Sequence, residues 1–429
     1  MERREFLRVM AGTTAALAVP AAASPAKRIV LRGDDEQFLD DMERRGCLYF
    51  VEQASRANGQ VLDRAVAASD GTLDPRRMSS IAATGFGLSA LCIADKRAYL
   101  PHADLLEQVQ RTLRFHADRL YNNHGFFYHF IDIATGARFA KNEVSSIDTA
   151  LLLCGVLTAR AHFSESAEVH HLATKIYERV DWPWMLNGGK TFSMGWFPEN
   201  GFLSARWNHY CELMMIYLLA LGSPTHPIDP SCWDAWERQH MSYAGFDYIG
   251  GGDPLFVHQY SHAWFDFRGK RDKYANYFEN SVTATRAHEF FCLNMGQPYS
   301  RDYWGISASD SEHGYTAWGG PSTRGASYGG VDGSVVPNAT AGSLPFLPQD
   351  CLRVLRSLKT NYGEKTWGRY GFCDAFHPQT KWYDPDVLGI DLGIGVLMAE
   401  NLRTGFVWET FAKNPEVGVA MQRAGFHAG

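Results

Sequence analysis

Long apolar runs are missing from this chain: no stretch approaches the roughly 20 consecutive apolar residues that cross a bilayer. A basic excess is missing too. The 41 Lys and Arg stand against 47 Asp and Glu, for a formal net charge of −6, which leaves no electrostatic footprint for nucleic acid. Cysteines number eight, at 47, 92, 154, 211, 232, 292, 351 and 373, with no Cys-x-x-Cys pair, so neither a zinc ribbon nor thioredoxin chemistry is indicated. Several, such as Cys92 and Cys154, fall in apolar helical runs and read as buried reduced thiols. The 40 glycines follow no three-residue period, which excludes a collagen-like fibre. With 45% hydrophobic and 21% charged residues, the chain is also not a disordered one. What it does have is aromatic rings: 26 Phe, 19 Tyr and 12 Trp. Flat apolar faces with polar edges suit sugars and other planar or amphipathic ligands.

Residues 1–23 read as an export address. Arg3-Arg4-Glu5-Phe6-Leu7 has the twin-arginine pattern, Val9 to Val19 is a short, weakly hydrophobic stretch, and Ala21-Ala22-Ala23 supplies small residues for cleavage. A periplasmic or secreted protein is expected, with residues 24–429 forming a single domain and the chain acting as a monomer. Twin-arginine export carries folded proteins, in keeping with a chain that does not rely on disulfides.

Apolar residues recur at helical spacing over 35–54, 79–97, 103–121, 145–163, 165–180, 206–221 and 229–240. The same spacing returns near 258–268, 272–294, 342–361, 388–403 and 407–424. About a dozen helices joined by short polar links is the count for six helical hairpins. Leu105, Val109 and Leu113 make the one-sided stripe of an outer helix, whereas the run from Ala150 to Leu157 is apolar nearly all round, as an inner helix should be. Strand-like pieces rich in aromatics and glycine lie between, as at Gly125-Phe-Phe-Tyr-His-Phe-Ile-Asp-Ile and Thr191-Phe-Ser-Met-Gly-Trp-Phe. The longest non-helical stretch runs from Gln297 to Asn338, and loops of that length are functional or flexible. The expectation is an all-α helical barrel with short β-hairpins and long loops at one end.

Polar clusters that interrupt apolar helices are the places to seek chemistry. In Asn142-Glu143-Val-Ser145-Ser146-Ile-Asp148-Thr149 a serine can cap the following helix and Asp148 can answer its dipole. Glu143 lies just ahead, where it either projects into a barrel mouth or stays a solvated loop carboxylate. In Trp207-Asn208-His209-Tyr210-Cys211-Glu212, the glutamate is followed by a largely apolar run, Leu213 to Leu221, without a basic residue. Such a carboxylate must be hydrogen-bonded or raised in pKa, which suits a general acid and equally a buried Glu tied to a turn. The third region holds Gly371-Phe-Cys-Asp374-Ala-Phe-His377, Trp382-Tyr383 and Gly389-Ile-Asp391-Leu-Gly393. Asp391 opens an apolar helix, so capping competes with catalysis there.

Other chemistries are poorly supported. His258 and His262 lie four apart with Asp266 a turn on, but without His-Glu-x-x-His or an obvious third ligand; a buried hydrogen-bonded network uses the same side chains. Gly87-Leu-Ser89-Ala-Leu91 does not complete a nucleophile elbow. The runs beginning at Gly250 and Gly329 are not followed by Lys-Ser/Thr, as a phosphate loop requires. No metal or cofactor is expected.

Several strings resemble a known family. They are Glu143-Val-Ser-Ser-Ile-Asp148-Thr-Ala-Leu-Leu, Tyr210-Cys-Glu212-Leu, Leu221-Gly-Ser-Pro-Thr-His226-Pro-Ile, Val336-Pro-Asn-Ala-Thr-Ala-Gly-Ser-Leu-Pro-Phe, and Gly389-Ile-Asp391-Leu-Gly393 through Glu400-Asn-Leu-Arg403. Over residues 35–425 these resemble the glucoamylase-like domain family of bacterial glycoside hydrolases, whose members include β-1,2-glucanases. The resemblance implies an (α/α)6 toroid, six helical hairpins in a ring, and hydrolysis of β-1,2-glucan with inversion. It carries the catalytic glutamate onto Glu212, an essential acidic residue onto Asp391 and a further cleft acid onto Glu143, with Asp148 in the same string. The chain departs from the family pattern at Leu392, Ile394-Gly395 and His377, positions that bear on linkage and chain length.

Inversion calls for an acid at the leaving oxygen and a carboxylate that activates water across the sugar. Glu212 is assigned as acid and Asp391 as base, with Glu143 as the rival for either role. Candidate substrate contacts are Asp148, Asn208, Tyr210, Arg286, Trp304, Asp310, Trp382 and Arg403; core or surface packing is the competing reading of the last five of these apart from Asp148, Asn208 and Tyr210. An endo-β-1,2-glucanase is expected. An exo enzyme releasing sophorose, a glucosidase on another glucan, a polysaccharide lyase and a non-catalytic sugar-binding protein are the alternatives. A lyase acting on uronates wants a basic cleft, which the acidic balance opposes.

Overall fold

The computed structural model describes residues 31–250, 254–321 and 330–429. The export segment, the glycines and aspartate after Gly250, and residues 322–329, which include Gly329, lie outside these. Fourteen helices are present among the described residues. The longer ones are α1 (Gly33–Glu52), α2 (Ile81–Lys96), α3 (His102–Asp118), α4 (Ser146–His162) and α5 (Ala167–Glu178). After the short α6 (Trp182–Leu186) come α7 (Met214–Gly222), α8 (Tyr260–Trp264), α9 (Tyr277–Met295) and α10 (Pro337–Ala341). The chain ends with α11 (Pro348–Thr366), α12 (Gly389–Arg403), α13 (Phe406–Phe411) and α14 (Pro415–Arg423). No described helix is long and apolar enough to cross a membrane.

Apolar pattern decides which helix goes where. Nearly every residue of α2, α4, α7 and α12 is buried, while α3, α5 and α11 bury one stripe and expose the rest. The first helix packs against both α2 and α12, so the chain's beginning meets its end, and α2 packs on α4. The helices fit an α/α toroid. Close crossings depend on missing side chains: a Cβ at Gly85 would lie 2.6 Å from Leu152 Cα, and one at Gly155 would strike the Gly85 carbonyl. The ring core is then filled by large buried rings, among them Trp182, Trp233, Trp264 and Trp304.

The strands are short and sit between helices. One antiparallel sheet has five: Asn122–Asn123, Phe126–Tyr128, Val144–Ser145, Gly195–Phe197 and Gly201–Phe202, in that order. The others are two-stranded.

Several expected helices are shorter or broken, each for a local reason. The segment 206–221 becomes helical only at Met214, because Arg206–Trp207 pairs with Phe192–Ser193 and the Tyr210 N–H is taken by the Glu237 carbonyl. The segment 229–240 holds one 3₁₀ turn, Pro230–Cys232, and then enters the hairpin His240–Tyr243 with Phe246–Ile249. Around 258–268 only five residues are helical. The segments 342–361 and 407–424 are each interrupted ahead of a proline, Pro348 and Pro415, which then occupies a helix first turn.

Candidate active site

Three short strands each hand the chain to the start of an inner helix at one end of the toroid. Met78–Ser80 pairs with Phe130–Asp132 and runs into α2; Val144–Ser145 runs into α4; Asp386–Leu388 pairs with Arg64–Val66 and runs into α12. Helix starts present unpaired N–H groups and a positive dipole end, so they favour negative charge. The sequence answers with Asp148 in the first turn of α4 and Asp391 in the first turn of α12, while Glu212 stands two residues ahead of α7. Between these starts lies a cavity of about 390 Å³ whose polar walls are Asp63, Arg64, Ser80, His129, Asp148, Glu212, Tyr260 and Tyr315. Its apolar walls include Phe130, Ile147, Phe256 and Ile390. That is the size and mixture of a small-molecule site.

One side of the cavity is an imidazole between two acids. His129 Nδ1 lies 3.2 Å from Glu143 and Nε2 lies 3.5 Å from Asp148. Burial opposes the charge on His129, but Asp148 and Glu143 outweigh it and lift its pKa to about 9. The hydrogen bond from His129 in turn holds Glu143 below the ordinary value. Asp148 also accepts from the Ser145 hydroxyl at 2.5 Å. At neutral pH His129 is an imidazolium between Glu143 and Asp148, and Glu143 is no reservoir of protons.

A second side is an acidic floor. Asp391 is buried behind Tyr260, whose hydroxyl donates to Oδ1 at 3.3 Å. Burial pushes Asp391 up to about 7, with the hydrogen bonds from Asp374 and Tyr260 working the other way. Asp374, wholly buried, accepts the Asp310 N–H at 2.8 Å. Arg64 bonds Asp310 at 2.5 Å and Asp63 at 3.2 Å, which ties the Asp63–Arg64 segment to the floor. Burial raises Asp63 as well. Glu212 borders the cavity, and its own carbonyl accepts from Ser261 Oγ at 2.7 Å, anchoring the entry to α7 on α8.

Of the predicted residues, Glu212 and Asp148 line the cavity, while Glu143, Asp310 and Asp391 stand behind it, bonded to the lining residues His129, Arg64 and Tyr260; the other candidates lie elsewhere. Tyr210 is a core residue: its hydroxyl meets His258 Nδ1 at 3.2 Å and its ring stacks on Tyr277. Trp304 is fully buried, and Arg286 is exposed on α9. Asn208 bonds its neighbour His209 at 2.8 Å and does not line the cavity. Trp382 lies half-buried in the hairpin with Phe376–His377, also away from the lining. Arg403 sits at the other end of α12 from Asp391, about 18 Å along the axis, bonded to Glu36, Asp40 and Glu43. Leu392 and Ile394 are buried, and Gly395 abuts Asn338, so none of these three forms a cleft wall; His377 bonds the Asp332 carbonyl. His258 and His262 are buried, each with a separate hydroxyl partner, Tyr210 and Ser281.

Sequence reasoning missed Asp63, Arg64, His129, Tyr260 and the role of Asp374. Asp374 stood in a polar cluster that was legible. Asp63 and Arg64 lie in a short link with no periodicity, and only the pairing of Arg64–Val66 with Asp386–Leu388 brings them to the mouth.

Fold and site together define an α/α-toroid protein with an acidic, partly aromatic cleft at the start of its inner helices. A family model described as "Putative glucoamylase" matches residues 204–415 of the chain. Among proteins of known activity it is similar to the exo β-1,2-glucooligosaccharide sophorohydrolase (non-reducing end) of Parabacteroides distasonis, at 28% identity over 91% of this chain. The chain spans 58% of that relative's length. Among solved structures it is similar to the endo-β-1,2-glucanase of Chitinophaga pinensis in complex with sophorotriose and glucose. There the TM-score is 0.83 at 26% identity, over 93% of this chain and 99% of that one. The β-1,2-glucanase of Parabacteroides distasonis gives a TM-score of 0.83 at 26% identity, over 91% of this chain and 60% of that one.

Proposed function

We propose that this protein is a glycoside hydrolase that cleaves β-1,2-linked glucan with inversion, built as an (α/α)6 toroid of six helical hairpins. The observation that carries the proposal is the cavity bordered by Glu212 on one wall, with Asp391 buried behind Tyr260, in a chain similar to enzymes named for β-1,2-glucan. Glu212 protonates the leaving glycosidic oxygen. A water on the far face of the sugar attacks the anomeric carbon and loses its proton to Asp391, through the Tyr260 hydroxyl that joins the carboxylate to the cavity. The C–O bond breaks, water is added across it, and the configuration inverts. A carboxylate with a pKa near neutrality is suited to such a base, and the raised Asp391 fits. Glu143 and Asp148, fixed by His129, present acceptors to sugar hydroxyls, and the guanidinium of Arg64, held by Asp310, presents a donor.

Endo cleavage is the proposed mode, and export through residues 1–23 the proposed route to the periplasm or beyond. The similarity to an enzyme named as a sophorohydrolase favours a second reading, exo release of sophorose. Incubation with linear β-1,2-glucan and sizing of the early products separates the two: a spread of chain lengths is expected, and sophorose alone from the first time points means exo action. Cleavage only of some other glucan overturns the substrate, and ultraviolet-absorbing unsaturated products mean a lyase. Glu212→Gln and Asp391→Asn should each lose at least about 100-fold in kcat with unchanged circular dichroism; near-normal turnover by either removes it from the mechanism.

A further inference from the structure

The carboxyls of Asp374 and Asp391 face each other inside the protein, and both residues are buried. Every other partner of the two carboxyls is an N–H or O–H. Asp374 Oδ2 takes the Asp310 N–H at 2.8 Å, and Asp391 Oδ1 takes the Tyr260 O–H at 3.3 Å. One oxygen of each, Asp374 Oδ1 and Asp391 Oδ2, has no other donor and is shut off from solvent. Two ionised carboxylates cannot share such a place, and an acceptor buried without a donor is costly. A single proton between the two oxygens resolves both.

The surroundings decide which residue holds that proton. Asp391 faces the Tyr260 hydroxyl from α8 and lies in the first turn of α12, where the dipole favours an anion. Asp63 and Asp310 press on it from their loops, and Arg64 binds both of those. Tyr315 and Glu212 approach Tyr260 on the cavity side. Asp374 has no cation and no helix start. It faces the Asp310 N–H, Asp391 itself and Asp384.

We propose that Asp374 stays protonated through the neutral range and donates from Oδ1 to Asp391 Oδ2, making it the positioning residue that keeps the catalytic base ionised and aimed. The inference rests on the reading of Asp391 as base for its kinetic consequence, but the location of the proton can be tested without any substrate. Infrared difference spectra at pH 8 between wild type and Asp374→Asn should show one un-ionised carboxyl band in wild type that the variant lacks. The amide keeps a donor for Asp391 and an acceptor for the Asp310 N–H. The acid limb of kcat/KM on β-1,2-glucan should therefore stay close to that of wild type in Asp374→Asn. In Asp374→Ala, which loses the donor, the limb should move up by about one pH unit, a loss of about fivefold at pH 7, with KM little changed. A difference spectrum without that band overturns the proposal. So does an acid limb in that variant well below the wild-type one, because it would mean that Asp374 is an anion repelling its neighbour. If β-1,2-glucan is not a substrate, the kinetic arm fails with the function while the infrared arm still decides. If Asp374→Ala does not fold, the Asn variant alone decides.

Discussion

At Asp384, burial and like charge work in the same direction. Its Oδ1 accepts the Asp386 N–H at 3.0 Å, whereas Oδ2 has no donor. Burial first, then the charges of Asp310 and Asp386, raise its pKa from 3.8 to about 7. A carboxyl raised in the folded state costs nothing below its unfolded pKa. The cost grows as pH climbs from about 4 to 7 and is constant above. Asp384→Asn keeps the acceptor for Asp386 and removes the charge. It should stabilise the protein by on the order of 3 kcal/mol at pH 8 and by almost nothing at pH 4, read from urea unfolding at the two values; equal effects at both would show that Asp384 is not ionised on going to pH 8. Single residues also mark how far the site could be read in advance. Glu212, Asp148 and Asp391 are legible because each opens an apolar helix, where a carboxylate needs an explanation. His129 is not, because its meaning comes from Glu143 and Asp148, which reach it only once the five-stranded sheet brings strands 126–128 and 144–145 together.

Among the elements, the crossing of α2 and α4 holds the cavity in shape, because both helices start at its rim. Glycine in a helix interior costs about 1 kcal/mol relative to alanine, so propensity alone predicts that Gly155→Ala stabilises. The packing argues otherwise, since the added methyl would meet the Gly85 carbonyl with backbone on both sides. Overpacking against a backbone that cannot retreat costs about 3 kcal/mol, and it should win. A net loss of about 2 kcal/mol in denaturant unfolding is expected, with a rise in KM if the starts of the two helices part; a gain in stability would show that the helices separate without cost. The same physics explains what the sequence revealed of the fold. Long helices declare themselves by period, as α1 to α5, α9 and α12 do. Short ones do not: the run 206–221 is apolar enough for a helix, yet pairing of Arg206–Trp207 with Phe192–Ser193 claims its first half. Tertiary pairing overrides local pattern most easily where only a turn or two of helix is at stake.

For the whole molecule the question is what closes the ring, and Arg403 supplies an answer that its sequence position hid. It shares a helix with Asp391, which suggested a role at the cleft. Twelve residues of helix separate the two, however, and the far end meets α1. There Arg403 pairs with the fully buried Glu43 and with Glu36 and Asp40, while Arg97 at the end of α2 bonds Glu400 at 2.7 Å. First helix, second helix and α12 are thus joined by one ionic cluster opposite the cavity. Burial and the neighbouring Glu400 push Glu43 well above the ordinary value, so the cluster tolerates two glutamates only while its arginines are present. Removing one partner of a buried ion pair costs about 3–5 kcal/mol, whereas replacing the pair by apolar side chains of like volume is far less damaging. Arg403→Met should accordingly lose about 3 kcal/mol or more of unfolding free energy, with KM for β-1,2-glucan unchanged, and Glu43→Met added to it should restore much of the loss. Denaturant unfolding of the two variants, together with steady-state kinetics below the transition, checks both parts. A raised KM in Arg403→Met at undiminished stability would return Arg403 to the cleft and leave the closure of the toroid to apolar packing alone.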